Sequence, residues 1–223
     1  MNRKLYTVRD GYNIMEKVVI IINGTGGVGK DTLCNLMTKY FKVQIISSIT
    51  PIKEAAEKYF GWKGQKDSKS RKLLADLKKL SVEYNDTPFR YLCEQYNRFL
   101  KSRAQILFVH IREGEEIDKF KKHVQGACYT LLVTRKLNET IRWGNVSDDS
   151  VAKYVYDLTY ENSKPLKDVG QDFYNFLVNN TEGKLYKESI FSNMKRQGKN
   201  LGQNLRVVKK LSAYSQKYIK ISQ

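Results

Sequence analysis

The stretch from Val18 to Lys30 constrains the fold more than any other part of this chain. Val18 to Asn23 is apolar and rich in β-branched side chains, and it runs straight into Gly24-Thr25-Gly26-Gly27-Val28-Gly29-Lys30. Leu33, Leu36, Met37, Tyr40 and Phe41 then recur at helical spacing, so the reading is strand, glycine loop, helix. Glycines let the backbone turn back on itself until successive N–H groups face one concavity, and a helix opening near Lys30 adds the positive end of its dipole. Such a cradle suits a chain of phosphates, with Lys30 bridging the outer two. The competing reading is a glycine-rich turn that carries a surface lysine.

The rest of the chain continues the alternation. Val43 to Ser47 is a second short apolar run, and Pro51 can open a helix with Ile52, Ala55, Ala56, Tyr59 and Phe60 on one face. After a polar loop over 61–70, Leu73, Leu74, Leu77 and Leu80 mark an amphipathic helix. Asn85 to Pro88 breaks it, and Phe89, Leu92, Cys93, Tyr96, Phe99 and Leu100 form the stripe of the next. Ile106 to Ile111 and Tyr129 to Thr134 read as strands around a helix bearing Ile117, Phe120 and Val124. Tyr154 to Tyr160 reads as a last strand and Pro165 to Val178 as a last core helix. Strands alternating with helices and lacking tight hairpins predict an α/β fold: a parallel sheet with helices on both faces and ligands at the carboxyl ends of the strands.

Charge divides along the chain. The formal net charge is +17; residues 181–223 hold ten basic and two acidic side chains and supply +8, leaving +9 for the first 180. An anionic partner is implied, and charge alone does not choose among nucleic acid, membrane and phosphorylated metabolites. The longest apolar run is far short of the ~20 residues of a membrane helix. Cys34, Cys93 and Cys128 are too irregularly spaced for a disulfide framework or zinc, so a cytoplasmic chain without a membrane partner is expected.

After Lys30 comes Asp31 and only then Thr32, where a strict Walker A loop has Ser or Thr next to the lysine. The Gly-Lys-x-Thr ending resembles nucleoside monophosphate kinases, adenylate kinase among them, and the Gly-Lys-Asp-Thr form is similar to bacteriophage-type deoxynucleoside monophosphate kinases. Ser48-Ile49-Thr50-Pro51-Ile52-Lys53-Glu54, the Gly61-Trp62 segment through Asp67 with Arg71, Glu83 to Phe89, and Ile111-Arg112-Glu113 extend the resemblance in order over about residues 17–178.

The resemblance implies a three-layer P-loop NTPase fold on a five-stranded parallel sheet. It implies a kinase domain over 17–180, a substrate-binding helical insert over about 48–104 and a lid over about 135–150. Outside it, the position of Met15 marks residues 1–16 as an arm or an upstream start, and apolar residues at helical spacing mark 181–223 as a basic helical extension. ATP and Mg2+ are the implied cofactors. Gly24, Thr25, Gly26, Gly27, Val28, Gly29, Lys30, Asp31 and Thr32 would hold the nucleotide, with Thr32 on the metal directly or through water. Ser48, Lys53, Asp67, Arg71, Arg112 and Glu113 would hold a (deoxy)nucleoside monophosphate, and Lys30, Arg112, Arg135 and Arg142 would serve transfer. Asn145, Ser147, Asp148 and Asp149 are similar to the lid segment of that family, and Tyr156 to Asn162 would line the adenine side.

Beside this stand plainer readings. Lys53 and Arg71 suit a solvated helix face, Glu113 can cap the helix that follows it, and His110 and His123 have no evident partner in sequence. A nucleic-acid-associated P-loop NTPase, or a non-catalytic nucleotide-binding module whose basic tail binds nucleic acid or protein, remains the alternative function. A motor NTPase would end a long apolar strand in an acid, whereas Ile106 to Ile111 runs into Arg112. The oligomeric state, a homodimer included, stays open.

Overall fold

The computed structural model describes residues 17–136 and 151–181. The arm over 1–16, the lid segment from 137 onward with Arg142, and the basic tail beyond Thr181 lie outside the described residues.

Five strands form one parallel sheet in the order β2-β3-β1-β4-β5. They are β1 (Val18–Asn23), β2 (Val43–Ser47), β3 (Ile106–His110), β4 (Ala127–Thr134) and β5 (Leu158–Glu161). Six helices accompany them: α1 (Lys30–Met37), α2 (Thr50–Phe60), α3 (Ser68–Asn85), α4 (Thr87–Lys101), α5 (Gly114–His123) and α6 (Leu166–Asn180). Every residue of the central β1 is buried, because a strand covered on both faces has no side for polar groups. Its side chains alternate: Val18, Ile20 and Ile22 pack with Leu33, Met37, Phe173 and Leu177 of α1 and α6. Val19 and Ile21 pack with Leu92, Phe99, Ile117 and Phe120 of α4 and α5. The result is three layers, helix, sheet and helix.

The register pairs Ile22 with His110 on one side and Leu131 on the other, so the ends of β1, β3 and β4 lie together at one edge. The chain leaves β1 toward β2 but leaves β3 toward β4, and the crevice between these departures is where an open parallel sheet binds ligands. Lys17, just before β1, donates from Nζ to the carbonyls of Phe99, Ser102 and Ala104, each at 2.8 Å, and so closes the carboxyl end of α4. Among the described residues no helix is long and apolar enough to cross a membrane.

Two expectations are corrected. The strand expected over Tyr154 to Tyr160 is shorter and later, since Tyr154 and Tyr156 instead stack edge-on, 4.9 Å between ring centroids, before β5 begins at Leu158. The helix marked by Leu73, Leu74, Leu77 and Leu80 is present as α3, none of whose residues is fully buried; Leu80 is 67% exposed. Tyr59 and Phe60 on α2 and Leu100 on α4 also face outward, while Ile52 and Ala56 carry the packing of α2.

Candidate functional site

The glycine loop is held by two asparagines. Gly24, Gly27 and Gly29 all have positive φ (148°, 81° and 93°), the conformations that let the chain double back at the end of β1. The backbone N–H of Gly24 donates to Asn23 Oδ1 at 2.8 Å, and Asn23 Nδ2 donates to the Arg112 carbonyl (3.0 Å) and the Tyr156 hydroxyl (2.8 Å). From the other side Asn162 Nδ2 donates to the Val28 carbonyl at 2.7 Å. Val28 is buried beneath the loop. α1 starts at Lys30 with Gly29 as its N-cap, a residue with no side chain to accept from the first N–H groups, so an anion can serve there. Lys30 Nζ is turned onto its own loop, donating to the carbonyls of Gly24 and, at 2.9 Å, Thr25.

Beside the loop, at the end of β3, stands His110. Its Nε2 lies 3.7 Å from Asp31 Oδ1 and 3.9 Å from Cys34 Sγ, so the partner that sequence did not show comes from α1. Burial lowers the pKa of His110; Asp31 opposes that shift, and the positive charges of Lys30, Lys53 and Arg112 reinforce it. These three cations, from three separate segments, therefore converge on one edge of the sheet. Asp31 and Thr32 are exposed in the first turn of α1 and offer hard oxygen donors of the kind Mg2+ takes. No three metal-ligating side chains come together among the described residues, so a divalent ion here would draw its remaining ligands from phosphate and water.

A second grouping lies where β2 and β3 end. Ser48 is buried, and its Oγ donates to Glu116 Oε2 at 3.3 Å. Lys78, from the middle of α3, reaches Glu113 Oε2 at 2.5 Å and Glu116 Oε2 at 2.9 Å. Burial pushes the Glu116 carboxyl up to about 7, while burial of Glu113 is outweighed by Lys78, which holds it below the ordinary value. Burial works against the charge on Lys78 as well, but the two carboxylates more than restore it. Below about 7 the trio therefore carries one ammonium, one carboxylate and one carboxylic acid, with the proton on Glu116. Glu116 Oε1 is buried without a hydrogen-bond partner among the described residues, a position less costly for a neutral carboxyl than for a carboxylate because burial penalises charge most. Glu113 occupies the N-cap position of α5, but its side chain makes no capping bond there.

The remaining expected residues lie on α2 and α3 and just beyond β3 and β4. Lys53 is exposed in the first turn of α2 and Arg112 is exposed immediately beyond β3. Asp67 caps α3 by accepting from the Ser70 N–H at 2.7 Å, with Arg71 one turn on. Arg135 is exposed past the end of β4. Of the segment expected on the adenine side, Tyr160 and Asn162 are buried, one in the core and the other bracing the loop. Sequence reasoning passed over Asn23, Lys78 and Glu116, and gave Asn162 only as the end of the adenine-side segment. Glu116 alone left a local trace, three residues after Glu113 on the same helical face.

No family model matches the chain, and no curated protein matches it. Solved structures do. The tunicamycin resistance protein of Deinococcus radiodurans is 11% identical, with 72% of this chain and 95% of that one covered and a TM-score of 0.48. Shikimate kinase from Aquifex aeolicus is 13% identical, with 74% and 99% covered and a TM-score of 0.42. Thymidylate kinase from Candida albicans is 14% identical, with 74% and 92% covered and a TM-score of 0.42.

Proposed function

We propose that this chain binds ATP in the Gly24–Lys30 loop and transfers the terminal phosphoryl group to a (deoxy)nucleoside monophosphate, giving the diphosphate. The observation that carries the reading is the loop itself: three positive-φ glycines between the central strand and an uncapped helix start, with Lys30 at its end. In this reading Lys30 exchanges the carbonyls of Gly24 and Thr25 for the outer phosphates and follows charge to the leaving oxygen. Arg112, Lys53 and Arg71 gather the acceptor phosphate, with Ser48 beside them, and Arg135 and Arg142 close over the transferring group as lid arginines. Asp67 supports this side by starting the helix that bears Arg71.

Thr32, directly or through water, is the residue that would hold Mg2+, which when bound would neutralise charge between the phosphates. No general base is required, because the acceptor oxygen of a monophosphate is already ionised, and catalysis is positioning plus charge neutralisation. The division into a kinase domain over 17–180, a substrate-binding insert over about 48–104 and a lid over about 135–150 belongs to the same proposal. A nucleic-acid motor is disfavoured by β3, which ends in His110 and leads to Arg112 rather than to an acid.

The test is coupled ADP release by the intact chain against a panel of ribo- and deoxynucleoside monophosphates, alongside Lys30→Ala. Turnover with at least one monophosphate, lost by a factor of about 100 or more in Lys30→Ala, is the expected result. Turnover indifferent to Lys30, or appearing only with DNA or RNA, refutes it.

A further inference from the structure

Two positions at the mouth of the loop are unusual together. P-loop NTPases hold Mg2+ with a hydroxyl after the loop lysine and with an acid on a neighbouring strand. Here Asp31 follows Lys30, and His110 ends β3 beside Ile22 of β1. The acid is missing from the strand and present on the helix.

The Asp31 side chain is 89% exposed, and its carboxylate sets a negative charge beside a loop suited to anions. Like charges a few ångströms apart repel even in water, and more strongly at the edge of a cleft. Among the described residues the ion-pair partner of Asp31 is His110, at 3.7 Å. That imidazole is fixed at the end of β3 with its side chain 16% exposed, so it can orient the carboxylate from its buried side. Cys34, the other group near His110 Nε2, is fully buried in the core and so is closed to a metal at the mouth of the loop. What remains is a hard, charged oxygen donor in the first turn of α1, directly after Lys30, facing solvent with His110 beside it. A divalent cation between it and them turns the repulsion into attraction.

We propose that Asp31 is the protein carboxylate for the divalent cation of the bound nucleotide, with His110 as the positioning residue that holds it at the loop. The inference rests on reading the loop as an ATP site.

Calorimetric titration of the full chain with ATP, once in EDTA and once in MgCl2, tests both levels. Asp31→Asn keeps the size of an exposed side chain and removes its charge. In EDTA the variant binds ATP more tightly than the unsubstituted protein, because the repulsion is gone; in MgCl2 it binds more weakly. The ratio of the two dissociation constants falls about tenfold or more. With Mn2+ as the probe, the electron paramagnetic resonance spectrum of the nucleotide complex changes in Asp31→Asn. His110→Gln lowers the same ratio by less.

An Asp31→Asn protein that keeps the unsubstituted ratio overturns the inference and leaves the loop reading standing. So does a ratio that collapses in Thr32→Val alone. If the unsubstituted protein binds ATP under neither condition, the loop reading fails and takes the inference with it.

Discussion

Alanine at Gly24 should be far more damaging than alanine at Gly27, although both glycines lie in one loop and both have positive φ. At Gly27 a Cβ would meet nothing within 4 Å, so the cost is backbone strain alone, about 1–2 kcal/mol. At Gly24 a Cβ would stand 2.4 Å from the carbonyl oxygen of Val133 and 3.0 Å from Val28 Cγ2. The first obstacle is backbone of β4, hydrogen-bonded to both β1 and β5, and cannot rotate away as a side chain could. Relief requires the loop and β4 to separate by more than half an ångström, a shift that in packed interiors costs about 1–3 kcal/mol beyond the strain. The total is about 4 kcal/mol, a large share of the ~5–15 kcal/mol that stabilises a domain. Urea and thermal unfolding followed by circular dichroism measure it, and a fall in Tm of about 8–16 °C is expected for Gly24→Ala against about 2–8 °C for Gly27→Ala. Equal losses in the two variants would refute the argument from the Val133 contact.

Two further outcomes follow from the braces and the buried carboxyls. Asn162→Ala leaves the Val28 carbonyl unpaired and should cost about 1–3 kcal/mol. Because a Cβ on Gly29 would meet only Asn162 within 3 Å, Gly29→Ala should be less costly in the Asn162→Ala background than alone; a double-mutant cycle with no coupling would sink that reading. Glu116, with its carboxyl pushed up to about 7, keeps a proton in the folded state that the unfolded chain releases near 4.5. Stability therefore falls as pH rises between those values, by up to about 3 kcal/mol, and Glu116→Gln should flatten that slope. Urea midpoints at pH 5 and pH 8 check it, and an unchanged slope would assign the pH dependence to other groups.

How much of this was legible in sequence depended on range. β1, the glycine loop and the start of α1 were readable because their signals are local: β-branched residues in a run, glycines where φ must be positive, apolar residues at helical spacing. β2 was readable for the same reason, with boundaries that agree at both ends. The stripe of α3 located a helix, but periodicity does not say how deeply an apolar face is covered or that Lys78 of that helix reaches Glu113 and Glu116. The order β2-β3-β1-β4-β5 was not in the pattern, since alternation predicts parallel strands without saying which become neighbours.

The sequence by itself determined a parallel α/β chain with a phosphate-suited loop after its central strand, since propensity, glycine conformation and helix dipole act within a few residues. Only the tertiary structure decided what surrounds that loop. Asn162 reaches Val28 across 134 positions, His110 meets Asp31 across the β1–β3 pairing, and Lys78 meets Glu113 and Glu116 from a different helix. Such pairings form because buried polar groups must find partners wherever packing brings them, and packing joins residues that sequence keeps far apart.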